Sequence, residues 1–373
     1  MTGKSSARVI VGLSGGVDSA VAALLLKEQG YDVQGLHMTN WEDDDGYCTA
    51  SQDFQDARAV ARELGIPLHR VNFAAQYRER VFEYFLAEHR AGRTPNPDVL
   101  CNREVKFGVA ARYARRLGGE WYATGHYARL VAGPGGAELH QARDEAKDQT
   151  YFLHGVARAD FERVLMPLGE LTKEQVRQRA RSAGLPVFDK PDSTGICFIG
   201  ERPFRDFLSK FLAEHPGPIL TPDGVEVGRH RGLPFYTLGQ RAGLEVGGRR
   251  GASAEPWYVA AKDAGRNALI VVQGQDHPAL WYEALETEPL HWLADRAAAS
   301  PEPARCSIRI RHRQAPQAAQ LSLRPDGGAL LRFEERQRAI TAGQFAVIYE
   351  GTRCLAGGVI ATATHAMRVS HAA

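Results

Sequence analysis

One loop constrains this chain more than any other stretch: Gly12-Leu13-Ser14-Gly15-Gly16-Val17-Asp18-Ser19. It follows a short apolar run at residues 9–13 and precedes an apolar helical run at 19–29 that Gly30 closes, so it reads as a strand–loop–helix turn. Glycines let backbone N–H groups close on an anion, and the helix N-terminus adds about half a positive charge. Ser14 and Ser19 add hydroxyl donors. No Gly-Lys-Ser/Thr follows and the spacing is not GxGxxG, which sets aside a P-loop and a dinucleotide fingerprint. A cradle of amides and hydroxyls without lysine suits retention of a pyrophosphate leaving group, with attack at the α-phosphate and transfer of AMP. The plain alternative is a tight turn with a helix cap.

The same rhythm continues over the first 130 residues. Strand patterns at 9–13, 33–38, 68–73 and 121–124 alternate with helical ones at 19–29, around Phe54, Ala57, Ala61 and Leu64, at 76–91 and at 99–117. That alternation predicts an α/β fold, a doubly wound parallel sheet with helices on both faces. A hairpin turn (Gly133 to Gly136) interrupts it. Thr172 with Gln175 then forms a capping box, and Phe204, Phe207, Leu208, Phe211 and Leu212 line one face of a helix. From Pro216 the texture becomes short strands and Gly/Asp turns, and from about Trp281 it alternates like a small β-barrel. The expected domains are therefore 1–212, catalytic α/β; 213–280, small and mainly β; and 281–373, a C-terminal β-barrel.

Composition removes several classes. The 46 Lys+Arg against 44 Asp+Glu leave a net charge of +2, so a nucleic acid would be held by a local patch rather than a global field. Residues 305–338 supply one candidate, with eight arginines against three acids; Arg309, Arg311 and Arg313 alternate as on one strand face. Five cysteines without a CxxC pair fit neither a zinc ribbon nor a disulfide scaffold. Cys48, Cys306 and Cys354 read as core thiols. Glu42-Asp43-Asp44-Asp45 reads as a solvated loop rather than a metal site, and no metal ligand is assigned. The longest apolar run, residues 20–26, is too short for a membrane span. The early first strand leaves no room for a signal or transit peptide, so a cytoplasmic protein is expected.

The loop resembles that of the N-type ATP pyrophosphatases, the PP-loop group. Further segments narrow the likeness: Met38-Thr39-Asn40-Trp41, residues 92–102 (GRTPNPDVLCN), Ala123-Thr124-Gly125-His126-Tyr127, Lys147-Asp148-Gln149, residues 192–202 (DSTGICFIGER) and Thr237-Leu238-Gly239-Gln240-Arg241. Together they resemble the bacterial tRNA-specific 2-thiouridylases over nearly the whole chain. The resemblance implies an adenine-nucleotide α-hydrolase-like fold and ATP-dependent 2-thiolation of the wobble uridine, U34, of tRNA-Lys, tRNA-Glu and tRNA-Gln. ATP, with Mg²⁺ beside it, would be the cosubstrate, and a cysteine desulfurase or sulfur-relay protein the sulfur donor.

Residue roles follow by resemblance. Cys197 carries a persulfide, Cys101 is the nucleophile, and the two can end as a disulfide. Gly12 to Ser19, Met38 and Gly125 contact ATP. Asn96, Pro97 and Asp98 lie against the target base; His126, Lys147, Asp148, Gln149, Arg311, His312 and Gln344 touch tRNA. From the residues themselves, Asp98 reads as an N-cap that puts Cys101 at the third helical position, where the helix dipole favours a thiolate. Asp98 itself would oppose that thiolate by its charge, which makes it a better acid/base than a stabiliser. Two other readings stay open: a PP-loop enzyme acting on a small molecule, and a non-catalytic RNA-binding module.

Overall fold

Val9, Ile10 and Val11 are fully buried, and they alternate between two apolar clusters. Val9 and Val11 pack with the helix Val17–Glu28, while Ile10 packs with Phe82, Val105 and Phe107 on the opposite side. That is the period of two of a strand covered on both faces. The computed structural model describes residues 6–41, 50–192, 204–244, 246, 255–295 and 303–365. Its first strands are β1 (Arg8–Gly12), β2 (Asp32–Thr39), β3 (Leu68–Asn72), β4 (Trp121–Ala123), β5 (Ala128–Gly133), β6 (Gly136–Gln141) and β7 (Val164–Leu165). Five of them form a parallel sheet in the order β3-β2-β1-β4-β7. The expected α/β sheet is present.

The helices hold two departures from the sequence reading. Residues 74–90 and 97–116 are helical, but each contains a π-helical stretch, Arg78–Phe82 and Cys101–Ala110. Such wide turns concentrate at functional sites. In the second, a Cβ on Gly108 would lie 2.9 Å from the Arg103 carbonyl oxygen, five residues back, so the π register suits a residue without a side chain. The capping box at Thr172 forms as expected and starts the helix Lys173–Ser182. The helix beginning at Phe204 is shorter than its apolar pattern, ending at Leu208.

Strands β8 (Gly217–Leu220), β9 (Glu226–His230), β10 (Trp257–Asp263) and β11 (Ala268–Gln273) make a small sheet in the order β10-β11-β8-β9. The last group is β12 (Trp281–Thr287), β13 (His291–Trp292), β14 (Ala304–Arg309), β15 (Gln317–Leu323), β16 (Ala329–Arg338), β17 (Phe345–Glu350) and β18 (Arg353–His365). The path β12-β16-β15-β14-β17-β18 closes because β18 also pairs β12, giving a barrel with its own apolar core.

The β5–β6 hairpin belongs to this barrel's sheet rather than to the parallel one: Arg353 of β18 pairs with His140 of β6. Beside it, Asp148 is buried and bonded to Arg309 of β14, Thr150 and the Ala142 amide. A buried ion pair thus bridges the chain's first and last thirds.

Candidate active site

Strand order reverses between β1 and β4, because the chain leaves β1 for β2 on one side and returns to β4 on the other. Ligands bind at such a switch point, outside the carboxyl ends of the strands. Val11 is level with Ala123, so the loop 12–16 and the segment 124–127 emerge side by side. A Cβ on Gly125 would lie 2.7 Å from the Ser19 amide nitrogen and 2.8 Å from the Asp18 carbonyl carbon. Only glycine lets this backbone approach the start of the first helix. Gly15 has φ +85°, and a Cβ there would meet the Asp53 carbonyl oxygen at 2.3 Å, so its identity is required twice over. Within the loop, the Ser14 amide donates to Ser19 Oγ at 3.2 Å, the Gly16 amide to Ser14 Oγ at 3.3 Å, and Ser19 Oγ to the Gly16 carbonyl at 3.1 Å.

The loop lacks a lysine of its own, and the fold supplies two from far along the chain. Lys173 Nζ lies 2.7 Å and 2.8 Å from the two oxygens of Asp18 and 2.6 Å from Asp192. Lys190 Nζ reaches the Gly15 carbonyl at 3.1 Å, Asp53 at 2.8 Å and Asp56. Burial would raise the Asp192 pKa, but hydrogen bonds from Lys147 and Lys173 outweigh it and bring it down to about 2. Tyr127 donates to Asp18 at 2.8 Å; burial first, then the Asp18 charge, push its pKa up. Lys173, Lys190, Tyr127 and Asp192 went unread in the sequence. Their only local signal is that Lys173 follows the capping threonine.

Met38 lies inside β2, one residue from its end, and is half-buried against the core. Its neighbour His37 is buried, with Nδ1 2.9 Å from the Leu13 carbonyl oxygen, which ties β2 to the loop.

The helix carrying the candidate nucleophile approaches the same crevice. Its N-cap is Asn96, whose Oδ1 accepts from the Asp98 amide at 3.2 Å, with Pro97 at the first helical position. This corrects the reading of Asp98 as cap. Cys101 therefore sits two positions deeper, at the fifth, past the unpaired amides of the first turn. It is buried, at the start of the π-helical stretch. Asp98 keeps the acid/base role open: burial raises its pKa, against the opposing pull of Lys106. Tyr122 connects the two halves of the crevice. Its hydroxyl lies 3.0 Å from where a Cβ of Gly12 would stand, and burial followed by proximity to Cys101 raises its pKa.

The residues assigned to tRNA divide by exposure. Lys147 and Gln149 are half-buried, whereas the Asp148 carboxylate is enclosed with Arg309. His126 is buried, bonded to Thr124 Oγ1 at 2.8 Å and set against Phe107; burial lowers its pKa well below the usual value. His312 accepts or donates at the Asp148 carbonyl, 2.9 Å away, and lies against Phe152. Gln344 Nε2 donates to the Thr94 and Pro95 carbonyls at 2.8 and 3.3 Å, holding the barrel to the loop that precedes Asn96.

The shared arginine face does not form. Strand β14 ends at Arg309, which turns inward to Asp148, while Arg311 and Arg313 follow on an exposed turn. Cys306 and Cys354 behave as the core thiols expected of them, and burial raises the pKa of each, Cys306 to about 12. Cys197, Cys48 and residues 42–45 lie outside the described residues. Among the described residues no three His, Cys, Asp or Glu side chains gather as a metal site, and no helix is long and apolar enough to cross a membrane.

Three family models match in succession: a tRNA methyl transferase HUP domain at residues 7–201, a tRNA methyl transferase PRC-barrel domain at 205–273 and an aminomethyltransferase β-barrel domain at 282–360. The chain is 58% identical over 370 residues to the tRNA-specific 2-thiouridylase MnmA of Halorhodospira halophila, covering 98% of this chain and 96% of that one. It is 54% identical to the enzyme of the same name from Chromohalobacter salexigens, over 95% of this chain and 93% of that one. Identity at this level along the full length, on a parallel sheet followed by a small β-sheet domain and a closed barrel, places the chain in the family of tRNA-specific 2-thiouridylases.

Proposed function

We propose that this protein thiolates C2 of the wobble uridine of tRNA at the expense of ATP. The observation that carries the reading is the crevice at the β1/β4 switch point: an amide-and-hydroxyl anion loop on one wall, Asp98 and Cys101 on the other, and Tyr122 between them. The C2 carbonyl lies between two nitrogens and has a poor leaving group. Attack of its oxygen on the α-phosphorus of ATP expels pyrophosphate and leaves that oxygen as part of AMP, a good leaving group.

The loop amides with Lys173 and Lys190 would hold the departing pyrophosphate, each lysine exchanging a carboxylate for phosphate oxygens. Mg²⁺ would accompany ATP as its counter-ion. Asp98, with its raised pKa, would take and return the proton at the base. The outer sulfur of a Cys197 persulfide then displaces AMP. Either the persulfide attacks C2 and Cys101 afterwards takes the inner sulfur, or Cys101 first frees sulfide; both routes end with thiolated base and a Cys101–Cys197 disulfide. Two electrons from an external thiol restore the pair. A protein carrying persulfide sulfur would reload Cys197. The uridine would leave the anticodon stack to reach the nucleotide.

The test is mass spectrometry of tRNA nucleosides after incubation with ATP and a persulfide donor. Exchange of one oxygen for sulfur at the wobble uridine is the expected result. Release of AMP that needs no RNA, with nucleosides unaltered, would transfer the chain to the small-molecule reading. In the same assay Cys101→Ser should lose thiolation while tRNA affinity stays within about twofold, because the thiol is buried and reacts rather than binds.

A further inference from the structure

Where the middle sheet meets the barrel, an open cleft of about 420 Å³ lies beside the loop that leads into Asn96. One wall is the turn Thr237-Leu238-Gly239-Gln240; the other carries Arg311, Thr341 and Gln344. The turn presses on the barrel: Gly239 has φ +77°, and a Cβ there would stand 2.7 Å from Ala339 Cβ. Its amides are already bonded, Gly239 to Val259 at 2.8 Å and Gln240 to Thr237 at 3.1 Å, so the wall is rigid.

The cleft is cationic and lacks a counter-charge. Arg311 is exposed and spends one guanidinium nitrogen on backbone carbonyls, Ala339 at 2.8 Å and Arg338 at 3.4 Å. Ala339 is held at φ +51°, a left-handed conformation unusual for alanine, and its carbonyl accepts from both Arg311 and Thr341. Arg338 stands behind the turn, with Nε on the Gln275 carbonyl at 3.1 Å and its guanidinium 4.8 Å from the Tyr258 ring centroid. Its Nη2 is buried with no hydrogen-bond partner. Among the described residues neither arginine meets a carboxylate. Burial first, and the Arg338 charge second, lower the Arg311 pKa. Two guanidinium groups side by side without an acid are destabilised until an anion joins them.

We propose that this cleft is a backbone-phosphate site for the RNA nucleotide adjoining the target base, with Arg311 as the direct contact, the Thr237–Gln240 turn as its opposite wall and Arg338 as a supporting charge. It rests on the tRNA reading above and extends it to the middle domain. Position favours RNA as the source of the phosphate: Gln344, which lines the cleft, also bonds the two carbonyls immediately before Asn96. A chain whose base enters the crevice at 96–98 therefore passes the cleft within about one nucleotide.

The experiment measures tRNA affinity across a salt series for the full-length protein, its Arg338→Gln, Arg338→Lys and Thr237→Asp variants, with thiolation and AMP formation in parallel. Thr237→Asp leaves both arginines in place and brings a carboxylate to them, so it stays informative if Arg338→Gln loosens the fold. Arg338→Gln and Thr237→Asp should each weaken tRNA binding about five- to twentyfold near 0.1 M salt and flatten the log–log salt slope by about 0.7, the value for one single-strand phosphate. Arg338→Lys should keep most of the slope, and the KM for ATP should not move.

Wild-type thiolation with unaltered slopes in Arg338→Gln and Thr237→Asp would overturn the phosphate site while leaving the reaction intact. A raised KM for ATP with an unaltered tRNA slope would give the cleft to the nucleotide and likewise overturn it. Failure of the wild-type protein to thiolate tRNA would instead bring down the underlying reading.

Discussion

Asp98 and Cys101 sit one turn apart on one helix, yet their surroundings differ. Burial raises the Asp98 pKa above 3.8, and Lys106 only partly offsets it. A carboxyl in that state is a better proton acceptor than an ordinary surface aspartate, whose conjugate acid is too strong. The sign follows directly. The base form accumulates only as pH climbs through the raised pKa, so kcat should rise with pH on an acidic limb. Asp98→Asn should lower kcat about 100-fold and remove that limb, while KM for tRNA changes little; a pH profile of single-turnover thiolation measures both. A retained acidic limb in the variant would assign the titration to another group.

At the level of elements, the crevice depends on how closely two loops can pass. The segment after β4 crosses the first helical turn at a distance that only Gly125 permits. Gly125→Ala forces a shift against backbone atoms, which cannot rotate aside as a side-chain tip can. The expected result is at least a tenfold loss of ATP affinity by isothermal titration, with an unaltered far-ultraviolet circular dichroism spectrum. The two π-helical stretches belong to this scale as well. Apolar spacing predicted helices in both places; it could not reveal a wider turn, because one extra residue per turn barely changes which side chains face the core.

Across the whole molecule, the Asp148–Arg309 pair joins the Lys147–Gln149 segment to the barrel, and both partners are buried. The bonds from Ala142 and Thr150 leave the carboxylate well satisfied. Removing one partner strands the other charge, which typically costs about 3–5 kcal/mol. Asp148→Asn should therefore lower the urea midpoint substantially and loosen the barrel. Arg309→Leu with Asp148→Leu together should recover much of that stability, since neither charge then remains in the interior. Equilibrium urea unfolding of the three proteins checks this, and a shift under about 1 kcal/mol for Asp148→Asn would refute the lock. A residue assigned by resemblance to RNA contact thus holds together the two surfaces that flank it, Lys147 with Gln149 and Arg311 with His312.

The amino-acid sequence by itself determined the alternating strands and helices, the anion loop and its place between β1 and the first helix, the capping box at Thr172 and the change to β texture after residue 216. Each of these is local, written in periodicity or in glycines whose backbone geometry no other residue adopts. The tertiary structure alone decided what distance in the chain conceals. It brought Lys173 and Lys190 to a loop more than 150 residues earlier, moved the cap from Asp98 to Asn96, and drew Arg309 inward. It also attached the β5–β6 hairpin to the barrel and left Arg311 and Arg338 together without an acid. Charge pairing and sheet closure depend on which surfaces meet, and no pattern of neighbouring residues encodes that meeting.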